Sequence, residues 1–107
     1  MIKVAVLLAS YNGVKYIEEQ LNSILSQSRV QVVIFISDDF SSDETIRFVK
    51  DKFSRFENIR FLPNISKFGG AGKNFYRLIR DVDFYDFDYI SFVDQDDIWN
   101  LDTIKLK

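Results

Sequence analysis

The chain has 107 residues, 47% hydrophobic and 28% charged, with a formal net charge of −2 from 14 basic and 16 acidic side chains. That is enough for one domain with a modest core and too short for two, and basic residues mixed among acidic ones do not form the stripe of a nucleic-acid surface. The absence of cysteine and histidine excludes disulfides, thiolate nucleophiles, serine–histidine triads and imidazole ligands, so any bound metal is a hard cation held by oxygens.

The first element is the aliphatic and β-branched run Lys3–Ala9, the composition of a central parallel strand covered on both faces. "IKVAVLLA" is too short to span a bilayer and has no small-residue cleavage site, so no transmembrane segment is expected in this chain. From Val14 the period changes: Val14, Ile17, Leu21, Ile24 and Leu25 fall on one helical stripe, predicting an amphipathic helix over Val14–Gln27. "VVIFIS", Val32–Ser37, is a second buried strand. "SSDE" then fits a capping box, with Ser41 as N-cap and Glu44 at N3 of a helix whose apolar stripe is Ile46, Val49, Phe53 and Phe56. Ile59–Leu62 is a short third strand, stopped by Pro63 and Asn64. "SKFGGAGKN" holds three of the four glycines and reads as a flexible loop. A third helix follows, with Phe75, Leu78, Ile79 and Val82 inward; "YISFVD", Tyr89–Asp94, is the fourth strand, and a last helix begins near Leu101 or Asp102.

Strands alternating with helices predict an α/β fold: right-handed βαβ units on a mostly parallel, Rossmann-like sheet with helices on both faces. If the strand order is 3-2-1-4, the direction of winding reverses between the first and fourth strands, and ligands bind past the carboxyl ends of the strands there. Ser10, Tyr11 and Asn12 follow the first strand, Asp38, Asp39 and Asp43 follow or lie near the end of the second, and Asp94, Asp96 and Asp97 end the fourth. Three carboxylates in "DQDD" repel one another. A divalent cation would offset that repulsion, whereas a turn or helix cap accounts for one aspartate easily and for three poorly.

The segments "VAVLLASYNGVKYIEEQLNSILSQS", "ISDDFSSDET" and "SFVDQDDIW", in this order and spacing, resemble the nucleotide-sugar-binding half of the family 2 inverting glycosyltransferases, which have a GT-A fold. "DQDDIW" and "KFGGAGKNF" are similar to the rhamnosyltransferase-like branch. The resemblance runs from Met1 to Lys107. It implies a UDP- or dTDP-sugar donor, with Mg2+ or Mn2+ on the diphosphate, and a glycan or lipid-linked acceptor. Asp94 and Asp96 match the family's DXD motif: Asp96 ligates the metal, and Asp94 faces the ribose or sugar and can share the metal. Asp97 matches less firmly. Asp39 takes the position that accepts the N3–H of uracil or thymine; the residues alone favour an Asx turn or a helix cap there. Tyr11 would stack on the base, Ser10 and Asn12 line the pocket, and Ala9 makes a backbone contact. Lys73 is either a solvated loop lysine or a diphosphate contact. "GGAGKN" is not a Walker A motif, since asparagine replaces the Ser/Thr after lysine.

An inverting transfer needs a general base for the acceptor hydroxyl. The family carries it in a second, acceptor-binding half, so the resemblance implies that residues 1–107 are a donor-binding domain without that half, and no carboxylate here takes the catalytic role. The parent is expected in the cytoplasm or at the inner face of the membrane. The rival reading is a module that binds nucleotide or metal without chemistry. A receiver domain lacks its lone aspartate where "LPN" stands, and a nucleotidyltransferase lacks its glycine-rich basic signature in "SYNGVKY".

Overall fold

In the computed structural model the described residues are 1–27, 29–64 and 67–93. They form β1 (Ile2–Ser10), α1 (Ile17–Leu25), β2 (Val30–Asp38), α2 (Thr45–Lys52), β3 (Ile59–Phe61), α3 (Ala71–Asp81) and β4 (Tyr89–Val93). The four strands make one sheet in the order β3-β2-β1-β4. Every pairing is parallel, with Ser10 opposite Asp38 at one end of β1–β2, Leu8 opposite Val93 in β1–β4 and Ile36 opposite Phe61 in β2–β3. The reversal of winding therefore falls between β1 and β4, as it must for the order 3-2-1-4 considered from the sequence.

Side chains alternate across a strand, and both faces of β1 are covered. Val4, Val6 and Leu8 pack with Ile17, Leu21 and Ile24 of α1 and with Val49 and Phe53 on one side. Ala5, Leu7 and Ala9 pack with Leu78 of α3 and with Val82 on the other. A strand covered on both faces disfavours a polar side chain without a partner, which explains the apolar run through the middle of β1.

The helices are shorter than their apolar stripes. Residues 14–16 form turns in which the Tyr16 and Ile17 amides both donate to the Gly13 carbonyl at 3.0 Å, and α1 starts only at Ile17. The expected stripe Ile46, Val49, Phe53 and Phe56 outlasts α2, which ends at Lys52; Phe53 is still buried and Phe56 packs against the same core. A helical stripe marks what faces the core, and a turn can deliver the same side chains there. At α3 the error runs the other way. The helix begins at Ala71, inside the stretch expected as a loop, so Gly72, Lys73 and Asn74 lie in its first turn. Of the residues expected inward, Leu78 and Val82 are buried and Phe75 packs against the core, but Ile79 is 49% exposed; Asn74 and Arg77 are buried as well. The expected helix near Leu101 lies outside the described residues.

Candidate functional site

The carboxyl ends of β1 and β2 carry two adjacent aspartates with different work. Asp38, buried at the last register pair, accepts the Ser10 hydroxyl at 2.7 Å, the Ser41 amide at 2.8 Å and the Ser41 hydroxyl at 2.5 Å. It closes the turn after β2, in which Phe40 takes a positive φ of 52°.

Asp39 is 4% exposed. Its own amide donates to the Ser10 carbonyl at 2.8 Å, which aligns it with the end of β1. Its carboxylate reaches across to the glycine loop and accepts the amides of Phe68, Gly69 and Gly70 at 2.5, 3.0 and 3.2 Å. Gly69 and Gly70 have φ of 84° and 151°, and such backbone lets successive amides converge on one acceptor. Neither the Asx turn nor the helix cap that the residues alone favour is formed by these three bonds. An ionised carboxylate offers about four lone-pair sites, so three amides leave room for one more donor.

Asn12 joins the two strand-end loops. It has φ 50°, its amide donates to the Ser41 hydroxyl at 2.8 Å, and its Oδ1 accepts the amides of Ser42 at 2.7 Å and Asp43 at 3.1 Å. The Gly13 amide donates to Thr45 Oγ1 at 3.0 Å and the Val14 amide to Asp43 at 3.2 Å. The capping box expected from Ser41 and Glu44 is not what starts α2. Glu44 sits at the N-cap without a side-chain cap, and Asp43 instead accepts the Thr45 amide at 3.0 Å and the Thr45 hydroxyl. The Ser41 hydroxyl instead donates to Asp38 and accepts the Asn12 amide. Partial burial alone would raise the Asp43 carboxyl; the hydrogen bonds from Thr45 and Val14 outweigh it and hold the group below its ordinary range.

On the far face of β2, three polar residues are buried together. Ser37 donates its hydroxyl to Asn74 Oδ1 at 2.5 Å, and Asn74 Nδ2 returns a bond to the Ser37 carbonyl at 2.7 Å. Arg77, 2% exposed, donates from Nη1 to Ser37 Oγ at 2.9 Å, from Nη2 to the Pro63 carbonyl and from Nε to Asp81 at 2.9 Å. Its guanidinium also lies 5.4 Å from the centre of the Phe68 ring. Sequence reading missed this group. Its signal was present: Asn74, Arg77, Leu78 and Asp81 share one helical face, so polar residues interrupt the stripe that meets the core.

Of the residues expected to bind a nucleotide-sugar, the structure brings Ala9, Tyr11, Asn12 and Asp39 to one edge of the sheet. Ala9 is buried in β1 opposite Ser37. Tyr11 is 43% exposed, with the Lys67 amine 5.5 Å from its ring centre. The Asn12 side-chain carbonyl is engaged with the loop before α2. Lys73 is exposed one turn into α3, three residues after the Asp39-bound Gly70. Asp94, Asp96 and Asp97 lie outside the described residues, and among the described residues no group of three or more His, Cys, Asp or Glu side chains is placed to hold a metal ion.

A parallel α/β sheet with buried polar groups at its carboxyl edge, beside the reversal of winding, defines a Rossmann-like ligand-binding domain. Residues 5–106 match Glycosyl transferase family 2, and the chain belongs to that family. It is 56% identical over 99 residues to a dTDP-rhamnosyl transferase, RfbG, of Shigella flexneri, a match that spans 92% of this chain and 34% of the relative. Among solved structures, Staphylococcus aureus TarS 1–349 in complex with UDP-GlcNAc superposes with a TM-score of 0.80 at 28% identity, over 96% of this chain and 29% of that one. A mannosyltransferase of Pyrobaculum calidifontis, in complex with GDP-Man and Mn2+, shares the fold with a TM-score of 0.70 at 21% identity, over 90% of this chain and 28% of that one. The fold is thus the GT-A arrangement, and the chain spans about a third of the length of these proteins.

Proposed function

We propose that this chain is the donor-binding part of a glycosyltransferase that takes a UDP- or dTDP-sugar and passes the sugar, with inversion, to a glycan or lipid-linked acceptor. The observation that carries this reading is the placement of Asp39. Its carboxylate is buried, oriented by three amides and held beside the end of β1, where Tyr11 exposes its ring. A fixed acceptor next to a flat aromatic suits a pyrimidine that carries N3–H: the ring stacks on Tyr11 and the N–H takes the remaining acceptor site of Asp39. Lys73 and the first turn of α3 follow directly on the same loop, and a helix N-terminus with a nearby amine favours the diphosphate.

Asp96, with Asp94, would hold Mg2+ or Mn2+, hard cations that take carboxylate and phosphate oxygens. When bound, the ion neutralises charge on the departing nucleoside diphosphate. In this reading none of the carboxylates assigned here serves as the base that deprotonates the acceptor. The proposed setting is the cytoplasm or the inner membrane face, where a nucleotide-sugar is at hand; no helix among the described residues is long and apolar enough to cross a membrane.

Calorimetric titration tests the reading. UDP and dTDP, with Mn2+ or Mg2+ present, are expected to bind more tightly than GDP or ATP. Equal affinity for purine and pyrimidine nucleotides would overturn it.

A further inference from the structure

Arg77 is 2% exposed, a guanidinium buried between α3 and the sheet. A buried cation is costly to desolvate, and replacing one by an apolar side chain is often neutral or stabilising. The geometry of its bonds shows what this arginine joins. The three bonding nitrogens of the fork reach three parts of the chain: Nη1 reaches Ser37, two residues before Asp39 in β2; Nη2 reaches the Pro63 carbonyl past β3; Nε reaches Asp81 within α3. Its guanidinium carbon lies 5.4 Å from the ring centre of Phe68, a residue whose amide is the first of the three that Asp39 accepts. The glycine loop is thereby held from two sides, by Arg77 through the Phe68 ring and by Asp39 through the amides of Phe68, Gly69 and Gly70.

We propose that Arg77 is a positioning residue for donor binding: by packing on Phe68 and pinning Pro63 it fixes the glycine-loop amides, and these orient the Asp39 carboxylate for the base. Arg77 need not touch the donor, and the proposal rests on the donor-binding reading above. Lysine cannot replace it, because one ammonium group does not present the planar fork that bonds Ser37, Pro63 and Asp81 together. Loss of the clamp leaves the residues around Asp39 intact and lets the loop amides drift. Oriented partners behind a binding group commonly contribute about tenfold or more to its function.

The test compares wild type, Arg77→Lys and Phe68→Leu in the full chain, by amide hydrogen exchange without nucleotide and by titration with UDP and dTDP. Phe68→Leu removes the aromatic ring and keeps the amide, which guards against a folding defect specific to the buried arginine. Both variants are expected to exchange the Gly69 and Gly70 amides about tenfold faster or more, to leave the β1 amides Val6 and Leu8 protected, and to bind nucleotide about tenfold more weakly. Unchanged exchange at Gly69 and Gly70 would overturn the clamp. Faster exchange with unchanged nucleotide affinity would overturn its role in donor binding. If wild type bound neither UDP nor dTDP, the donor reading and its Arg77 clause would fall together, while the exchange result would still decide whether Arg77 fixes the loop.

Discussion

Ser10 and Asp38, the last register pair of β1 and β2, are joined by a 2.7 Å hydrogen bond from the serine hydroxyl to the buried carboxylate. That bond separates the two neighbouring aspartates by function. Asp38 is spent on the fold, tying two strands and the Ser41 turn, while Asp39 faces the glycine loop.

Asp38→Ala removes the acceptor for the Ser10 hydroxyl and for both donors of Ser41. Buried donors left without a partner cost about 1–3 kcal/mol each, and some of these can turn to other acceptors or water. The expected loss is about 2–4 kcal/mol in urea denaturation, with a smaller loss for Asp38→Asn, whose amide can still pair with the two hydroxyls. Equal stability of Asp38→Ala and wild type would contradict the structural assignment.

At Asn12 two effects can be separated. Glycine relieves the positive φ of 50° and loses the bonds to Ser42 and Asp43, whereas alanine loses the bonds and keeps the strain. Asn12→Ala is therefore expected to be the less stable variant by about 1 kcal/mol, from the left-handed penalty of a Cβ. Thermal melts of the pair against wild type check the order.

Gly70 and Gly72 should respond oppositely to alanine. Among the described residues a Cβ meets nothing within 4 Å at either site, so backbone conformation decides. Gly70 has φ 151° and ψ 161°, a region open essentially to glycine alone, and Gly70→Ala is expected to cost about 1–3 kcal/mol. Gly72 is inside α3, and Gly72→Ala should stabilise by about 0.5–1 kcal/mol. Urea midpoints of the two variants that move in the same direction would refute this.

The Asp81 carboxyl is lowered from the ordinary 3.8 to about 2, first by the hydrogen bond from Arg80, next by that from Arg77. A depressed folded value means stability that is present above the ordinary value and lost as pH falls through the folded one. The gap in melting temperature between wild type and Asp81→Asn should be full near neutrality and begin to close as pH falls below about 4. It should vanish once pH falls below the folded value of about 2. A gap that is constant over this range would show that the carboxylate charge is not what Asp81 contributes.

For the proposed metal site, Asp96→Asn removes one charge and keeps the shape. Without metal the variant should melt at the wild-type temperature or slightly above it, since a repulsive neighbour is gone. With Mn2+ and UDP or dTDP, wild type should gain the stabilisation that ligand binding confers, about 2.7 kcal/mol at a hundredfold excess over Kd, and the variant should lose most of that gain. An equal ligand-induced shift in both proteins, or an equal shift with EDTA in place of metal, would sink the assignment.

The strands were legible because burial on both faces demands an unbroken apolar run, and Lys3–Ala9 and Val32–Ser37 fall inside β1 and β2. The parallel sheet followed from the alternation of strands and helices, the family from three motifs in sequence, and the order 3-2-1-4, taken as a condition from the sequence, is the order the sheet has. What the sequence could not separate were Asp38 from Asp39, the true cap of α2 from its apparent capping box, and the start of α3 from the loop before it. The cap of α2 turned on local competition, Asp43 taking the Thr45 amide two residues on, whereas the roles of Asp38 and Asp39 and the anchoring of α3 turned on distant partners. Asp38 and Ser10 are 28 residues apart, Asp39 and Phe68 are 29, and Arg77 and Ser37 are 40. Hydrophobic periodicity is a local property of the chain and can be read along it. Hydrogen-bond partners are fixed only when the packed sheet brings remote segments within 3 Å, and that step the tertiary structure alone decided.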